Sequence, residues 1–137
     1  MSDYPQSTIA SAAFIKRNWD NCKLWSRESL LAWLQWFIDN DRFRAVRSGG
    51  KVVGAAMYRF VDNEEDIRSS EYSDTNGDLC YVVLCVAKTE GAMREVYRMA
   101  QEGGMNLRSK ACWRRAKYSD RDTICDMVKL NRRFGYG

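Results

Sequence analysis

The chain contains 137 residues, of which 45% are hydrophobic and 29% are charged, which excludes a disordered protein and predicts a folded domain. Its length suffices to bury a core without disulfides or metals. Histidine is absent and the five cysteines form no C-x-x-C pair, so histidine-dependent triads are excluded, and we expect reduced cysteines and no metal.

The pattern of apolar residues predicts neither a membrane span nor a signal peptide. No apolar run approaches the roughly 18 residues that cross a bilayer, and the N-terminal residues lack the basic start and long apolar core of a signal peptide. We therefore expect no membrane partner and a cytoplasmic location, which would be the host cytoplasm or the virion if the protein is viral.

The net charge of +4 is concentrated near the C-terminus. Residues 108–137 hold nine Lys or Arg and three Asp, whereas acidic residues outnumber basic ones before them. This basic third suits either a phosphate-bearing cofactor or a nucleic-acid backbone, and the alternative is a solvated charged face. The candidate nucleic-acid contacts are Arg114, Arg115, Lys117, Arg132 and Arg133.

The first predicted element is a helix over residues 26–40, after an irregular N-terminal segment, 1–25, that includes at most a short helix. Ser26 is a typical N-cap, and Leu30, Trp33, Leu34 and Phe37 recur at helical spacing. Several tryptophans lie near this helix, and we interpret them as core residues rather than as a base-stacking surface.

Two strands and a long connection come next. Two runs of strand-forming residues, 43–47 and 51–61, flank Gly49-Gly50 and predict an antiparallel hairpin. Residues 62–78 are polar and acidic, which is typical of an exposed connection. The nearly continuous apolar run 79–86 predicts a central strand that is covered on both faces.

The C-terminal half predicts helix, strand and helix. A helical pattern follows residue 91 and ends at Gly103-Gly104, and residues 109–117 alternate as a strand does. A final helix is predicted to begin near Ser119 or Asp120 and to stop at Gly135. Together the elements predict a mixed α/β (α+β) fold with a mostly antiparallel sheet.

This order of elements resembles the GCN5-related N-acetyltransferase (GNAT) fold over roughly residues 26–137. The resemblance is carried by the hairpin RFRAVRSGGKVVGAAMYRFV, by the strand LCYVVLCV that leads into a glycine-bearing helix start, and by the ending LNRRFGY. It implies one compact domain over residues 1–137, a mixed sheet with helices packed on both faces, and an acyl-CoA-dependent N-acyltransferase.

The resemblance also implies a binding site for acetyl-CoA or coenzyme A, with an amine as the acyl acceptor. The pyrophosphate would lie over the helix start at Gly91, Ala92 and Met93, where backbone N–H groups lack helical partners. Lys88 would add a positive charge, and the strand backbone at Cys85 and Val86 would bond the pantetheine arm.

The candidate catalytic residues are Asp78 as a base and Tyr118 as a proton donor, with Glu90 and Tyr81 as further candidates. The alternative interpretation is that the two acids are simply solvated and that the two tyrosines are packing residues of strands. Asn131 stands where the family often has a proton-donating tyrosine, and Met93 replaces a glycine of the pyrophosphate motif. Acyl transfer is therefore expected to be weak or absent.

Two other functions compete with acyl transfer. One is a non-enzymatic GNAT-like protein, as in some bacteriophages, that acts as a virion component or contacts other viral or host proteins. The other is a small nucleic-acid-binding module that uses the basic C-terminal third, with Trp113 and Tyr118 available for base stacking.

Overall fold

A computed structural model describes residues 4–69, 74–114 and 122–135. The described elements are α1 (Gln6–Asn18), α2 (Arg27–Asp39), β1 (Phe43–Ser48), β2 (Lys51–Val61), α3 (Glu64–Ser69), β3 (Leu79–Ala87), α4 (Glu90–Glu102), β4 (Lys110–Arg114), β5 (Asp122–Asp126) and α5 (Met127–Arg133). Short 3-10 turns lie at Asp20–Cys22 and Met105–Leu107.

The strands form one sheet in the order β1-β2-β3-β4-β5. The β3–β4 pair is parallel and the other three pairs are antiparallel. Parallel neighbours need a crossover connection, and α4 lies in that connection. The mixed, mostly antiparallel sheet that the sequence predicts is confirmed.

Helices cover both faces of the sheet because the side chains of β2 alternate between two hydrophobic clusters. Ala55 and Met57 pack with α1 and α2. Tyr58 and Phe60 pack with residues of α4 and α5 on the opposite face. The predicted two-sided packing is therefore confirmed.

A bulge separates two parts of β3. Met57 pairs with Leu84, but the next residue, Tyr58, pairs with Val82, so Val83 is an extra residue on β3. A bulge bends and twists the strand that carries it. Pairing of β3 with β4 ends at the same place, at Val82 and Trp113. In the described part of the chain, residues 83–87 thus pair with β2 alone.

The N-terminal segment is helical where an irregular segment was expected. Residues Gln6–Asn18 form α1, which buries Phe14 and Ile15 completely. The rest of its buried face consists of small or polar side chains, Thr8, Ser11 and Ala12. Because these residues are not markedly apolar, the helical period is weak in the sequence.

The last helix begins later than predicted. Residues Asp122–Asp126 form a strand that pairs with β4, and α5 begins at Met127 with the Asp126 carboxylate accepting from the Val128 N–H at 2.9 Å. Ile124 and Met127 share a helical spacing, but Ile124 belongs to the strand. Ser119, Asp120 and residues 115–117 of the predicted strand lie outside the described residues.

The connection over residues 62–78 is partly structured. It contains α3, and Asp74 forms an ion pair with Arg42, whose Nε lies 2.6 Å from the Asp74 carboxylate. The same carboxylate accepts from the Phe60 N–H at 3.1 Å. These bonds fix the end of the connection against the sheet, immediately before β3.

Candidate functional site

A cavity of about 640 Å³ lies beside Val82 and Trp113, where the described pairing of β3 with β4 ends. Residues of both hydrophobic clusters line it, so it extends from one face of the sheet to the other. Its described walls include, on the α1–α2 side, Trp19, Asn21, Trp25, Trp33, Phe37, Arg59, Tyr81 and Val83, and on the α4–α5 side, Tyr58, Met93, Tyr97, Trp113, Arg133 and Phe134.

Three tryptophans form one wall on the α1–α2 side. The rings of Trp19 and Trp33 are stacked with centroids 5.5 Å apart, and Trp25 stands edge-on to both. Trp33 belongs to the buried core, whereas Trp19 and Trp25 are partly buried. The three tryptophans therefore pack in or against the core, as predicted, and also line the cavity. The helical periodicity of α2 does not indicate this second position.

Cys85 lines the cavity on the α4 side of β3. Its Sγ lies 3.4 Å from the Met93 Sδ. Burial raises the pKa of the Cys85 thiol to about 11, so the thiol is protonated at neutral pH and is not an activated nucleophile. This agrees with the absence of histidine.

Two of the three N–H groups predicted to face a pyrophosphate, those of Ala92 and Met93, are already bonded within the chain. The Met93 N–H bonds to the Thr89 carbonyl at 3.0 Å. Thr89 is the N-cap, and its Oγ1 accepts from the Ala92 N–H at 3.0 Å. At Gly91, an added Cβ would meet only Thr89 Oγ1, at 4.0 Å, so the space above this residue is open. The two first helical residues, Glu90 and Gly91, therefore provide the accessible backbone.

The other predicted cofactor residues are distributed around the same end of β3. Lys88 is exposed, and its backbone N–H bonds to the Val53 carbonyl at 2.9 Å. The Val86 side chain packs on the α1–α2 core, and its backbone pairs with β2 alone among the described residues. Cys85, Val86, Lys88, Gly91, Ala92 and Met93 thus lie along one continuous path.

The predicted catalytic residues are not brought to this path. Asp78 is exposed and precedes β3, at the opposite end of that strand from Gly91. Bonding of its side chain to Ser109 lowers the Asp78 pKa, which favours a fixed carboxylate over a base. Tyr118 lies outside the described residues. Glu90 is exposed and pairs with Arg94 at 3.7 Å, whereas Tyr81 lines the cavity.

A hydroxyl that the sequence did not indicate lies beside Asn131. Tyr97 of α4 donates to the Asn131 Oδ1 at 2.6 Å, and its ring stacks on Phe134 with centroids 4.2 Å apart. Tyr97 also lines the cavity. The last helix carries Asn131 where the family often has a tyrosine, and α4 places the Tyr97 hydroxyl against Asn131. Only the fold brings these two positions together.

The cavity walls carry little charge of either sign. Among the described lining residues there is no aspartate or glutamate, and the charged ones are Arg59 and Arg133. Arg59 lies on the Tyr81 ring face, with its Cζ 5.6 Å from the ring centroid. No described carboxylate is thus placed to accept a proton from an amine inside the cavity.

Two kinds of feature are absent from the described ranges of the chain. There, no group of three or more cysteines or acids is positioned to hold a metal ion. No helix in those ranges is both long enough and apolar enough to span a bilayer.

Comparison with known proteins supports the fold. No protein-family model and no curated protein matches the sequence. Among solved structures, the chain is similar to the GphF GNAT-like decarboxylase in complex with isobutyryl-CoA, with a TM-score of 0.59 and 16% identity over 98% of this chain and 70% of that one. Together with the mixed sheet and its two helical layers, this similarity shows that the chain has a GNAT-like fold.

Proposed function

We propose that the protein binds coenzyme A thioesters in the cavity between β3 and β4. The observation that carries this proposal is the edge of β3 after the Val83 bulge, where the described residues provide no second strand partner. This edge borders the cavity and leads directly to the start of α4. An extended ligand arm with amide groups can bond such an edge as an added strand does.

The residues at this edge fit the parts of coenzyme A. The pantetheine amides would bond the β3 backbone around Cys85 and Val86. The pyrophosphate would lie over Gly91, where an added Cβ meets open space and the positive end of the helix dipole favours an anion. Lys88 would add a charged contact. The similar decarboxylase was solved in complex with isobutyryl-CoA.

Bound coenzyme A would supply an activated acyl group as a thioester. N-acyl transfer also needs removal of a proton from the attacking ammonium group. The described cavity walls hold no carboxylate for that step, and the Cys85 thiol, with its raised pKa, is not a nucleophile. Tyr58, Tyr81 and Tyr97 place tyrosine side chains on the described walls, and the Tyr97 hydroxyl already donates its proton to the Asn131 Oδ1. We therefore expect acetyl transfer to amines to be slow or absent.

Calorimetric titration tests the binding proposal. The titrants are coenzyme A, acetyl-CoA, and a mixed-sequence oligonucleotide at matched phosphate concentration. We expect the two CoA ligands to bind and the oligonucleotide not to bind. If neither CoA ligand binds at millimolar concentration, the proposal is wrong.

The alternatives make different predictions in the same experiment. Salt-dependent binding of the oligonucleotide alone would favour the nucleic-acid module; of its candidate residues, Arg132 and Arg133 lie exposed in the last turn of α5. Binding of neither class would favour a role in contacts with other viral or host proteins. A role in a bacteriophage stays a hypothesis.

A further inference from the structure

We propose that the tryptophan side of the cavity holds the acyl group of the bound thioester, and that this group is large and apolar rather than an acetyl group. This inference rests on the proposed function, because it assigns one end of the same ligand to one part of the same cavity.

The first argument is the size of the cavity. Its volume of about 640 Å³ lies in the range that accommodates drug-sized ligands. An acetyl group at the split between β3 and β4 would leave the side near α1 and α2 unfilled. A larger acyl group would bury its own surface there and add contacts with the walls.

The second argument is the continuity between the open strand edge and the tryptophans. Val83 is the extra residue of the bulge, and its side chain packs on the α1–α2 core rather than on the α4 face. Val82 and Leu84 line the cavity as well. An acyl group attached to a pantetheine arm at this edge therefore extends past Val83 toward Trp19, Trp25 and Trp33.

The third argument is the chemistry of the walls. The aromatic rings of Trp19, Trp25, Trp33 and Phe37 offer large apolar surfaces. A cationic amine acceptor fits this space poorly, because the described walls hold no carboxylate to pair with it. A neutral apolar group has no such penalty, so the acyl end of the ligand is the favoured occupant.

The test is a chain-length series measured by calorimetry and by quenching of tryptophan fluorescence. The ligands are coenzyme A, acetyl-CoA, hexanoyl-CoA and phenylacetyl-CoA. Each methylene that becomes buried strengthens binding about fourfold. Hexanoyl-CoA is thus expected to bind on the order of a hundredfold more tightly than acetyl-CoA, for roughly four additional methylenes. Phenylacetyl-CoA is expected to bind comparably to hexanoyl-CoA.

Two cavity-filling variants locate the acyl group. Val83→Phe introduces a ring at the entrance to the tryptophan side, and Asn21→Trp narrows the same side from an exposed position. Each is expected to reduce the preference for hexanoyl-CoA over acetyl-CoA by at least tenfold. Asn21→Trp, which lies away from the β3 edge, is expected to leave the affinity for coenzyme A within about threefold. Leu107→Phe is the matched control, since Leu107 is exposed and lies outside the cavity lining.

The outcomes separate this inference from the proposed function. If coenzyme A does not bind the wild-type protein, the proposed function itself is wrong. If coenzyme A, acetyl-CoA and hexanoyl-CoA bind equally, the function stands and the inference is wrong. A preference for hexanoyl-CoA that survives in both cavity-filling variants would also overturn the inference, because the acyl group would then lie elsewhere.

Discussion

Tyr97 and Asn131 are joined by a 2.6 Å hydrogen bond although they are 34 positions apart in the chain. The bond links α4 to α5 beside the cavity, and Tyr97 at the same time stacks on Phe134. The pair therefore fixes the orientation of a phenol hydroxyl on the cavity wall.

Tyr97→Phe tests the contribution of this bond to stability. The variant keeps the ring and its stacking but removes the hydroxyl, so we expect a loss of about 1 kcal/mol in the free energy of unfolding. Urea denaturation measures this loss. Val128→Ala is the control, because Val128 is an exposed residue of α5, the helix that carries Asn131. Equal midpoints for Tyr97→Phe and the wild type would contradict the prediction.

Gly91→Val tests the anion site at the start of α4. Because an added Cβ at this position meets only Thr89 Oγ1 at 4.0 Å, we expect stability to change by no more than about 0.5 kcal/mol. Coenzyme A binding is expected to be lost, since the valine side chain occupies the space of the phosphates. Lys88→Ala is expected to weaken binding by about 1 kcal/mol, the scale of one charged hydrogen bond.

Gly77→Ala is the matched contrast to Gly91→Val. A Cβ at Gly77 would collide with the Val61 carbonyl and lie 2.7 Å from the Asp62 backbone nitrogen, so this variant is expected to lose stability. The folded fraction of Gly77→Ala is expected to bind coenzyme A as the wild type does. Retained binding by Gly91→Val, measured by calorimetry, would show that the phosphates lie elsewhere.

The main strands were predictable because their signals are local. The uninterrupted apolar run at 79–86 indicates a central strand, and the structure has one at Leu79–Ala87. Helix α1 was not predictable in the same way, since small polar residues such as Ser11 form part of its buried face. The cavity lies beside the Val83 bulge and the end of the described β3–β4 pairing, and neither feature leaves a local pattern in the sequence.

The position of the catalytic candidates relative to the cavity was also not predictable from a local sequence pattern. Asp78 stands next to a predicted strand, but sequence order does not reveal which end of that strand borders the cavity. In the structure it lies at the end away from Gly91. Tyr97, by contrast, lies within the helical pattern that follows residue 91, and only the packing of α5 on α4 brings its hydroxyl to Asn131.

The Arg42–Asp74 ion pair predicts a component of acid sensitivity. Burial raises the Asp74 pKa, but bonds from Arg42 and from the Phe60 and Asn76 N–H groups outweigh it, so the pKa is lowered. The pair therefore stabilises the fold fully above the pKa of an unfolded aspartate, about 3.9, and this contribution is lost as the pH falls through the lowered value.

Asp74→Asn measures that contribution. Both side chains of the pair are largely buried, with 15% and 11% exposure, so we expect a loss of about 2 kcal/mol at neutral pH. The difference from the wild type is expected to shrink below about pH 4. Urea denaturation from pH 7 to pH 3 measures both, and Asp62→Asn, at an exposed position, controls for the loss of one charge. A difference that does not vary with pH would contradict the assignment.

The Cys85 thiol is predicted to react slowly with alkylating reagents. Its pKa of about 11 leaves little thiolate at neutral pH. As long as the pH stays below that pKa, raising the pH by one unit increases the thiolate fraction about tenfold. Mass spectrometry after iodoacetamide treatment measures the labelling of this residue in the native protein and, as the reference, in urea. Labelling at pH 7.5 that is as fast in the native protein as in urea would be incompatible with a buried, protonated thiol.

The two parts of β3 are predicted to differ in amide exchange. Residues 79–82 pair with strands on both sides, whereas residues 83–87 pair with β2 alone in the described part of the chain. Amides that are bonded within the centre of a sheet exchange through near-global opening, so we expect the slowest exchange in residues 79–82. Amides of residues 83–87 that face the open edge are expected to exchange faster.

Coenzyme A links this difference to function. A pantetheine arm that bonds the open edge would protect amides of residues 83–87, while residues 79–82 would change little because they are already paired. Hydrogen–deuterium exchange with and without saturating coenzyme A measures both segments in one experiment, and the Gly91→Val variant serves as the control that is expected to show no ligand-dependent protection. Equal protection of the whole strand would indicate global stabilisation rather than an added strand at this edge, and would place the pantetheine arm elsewhere.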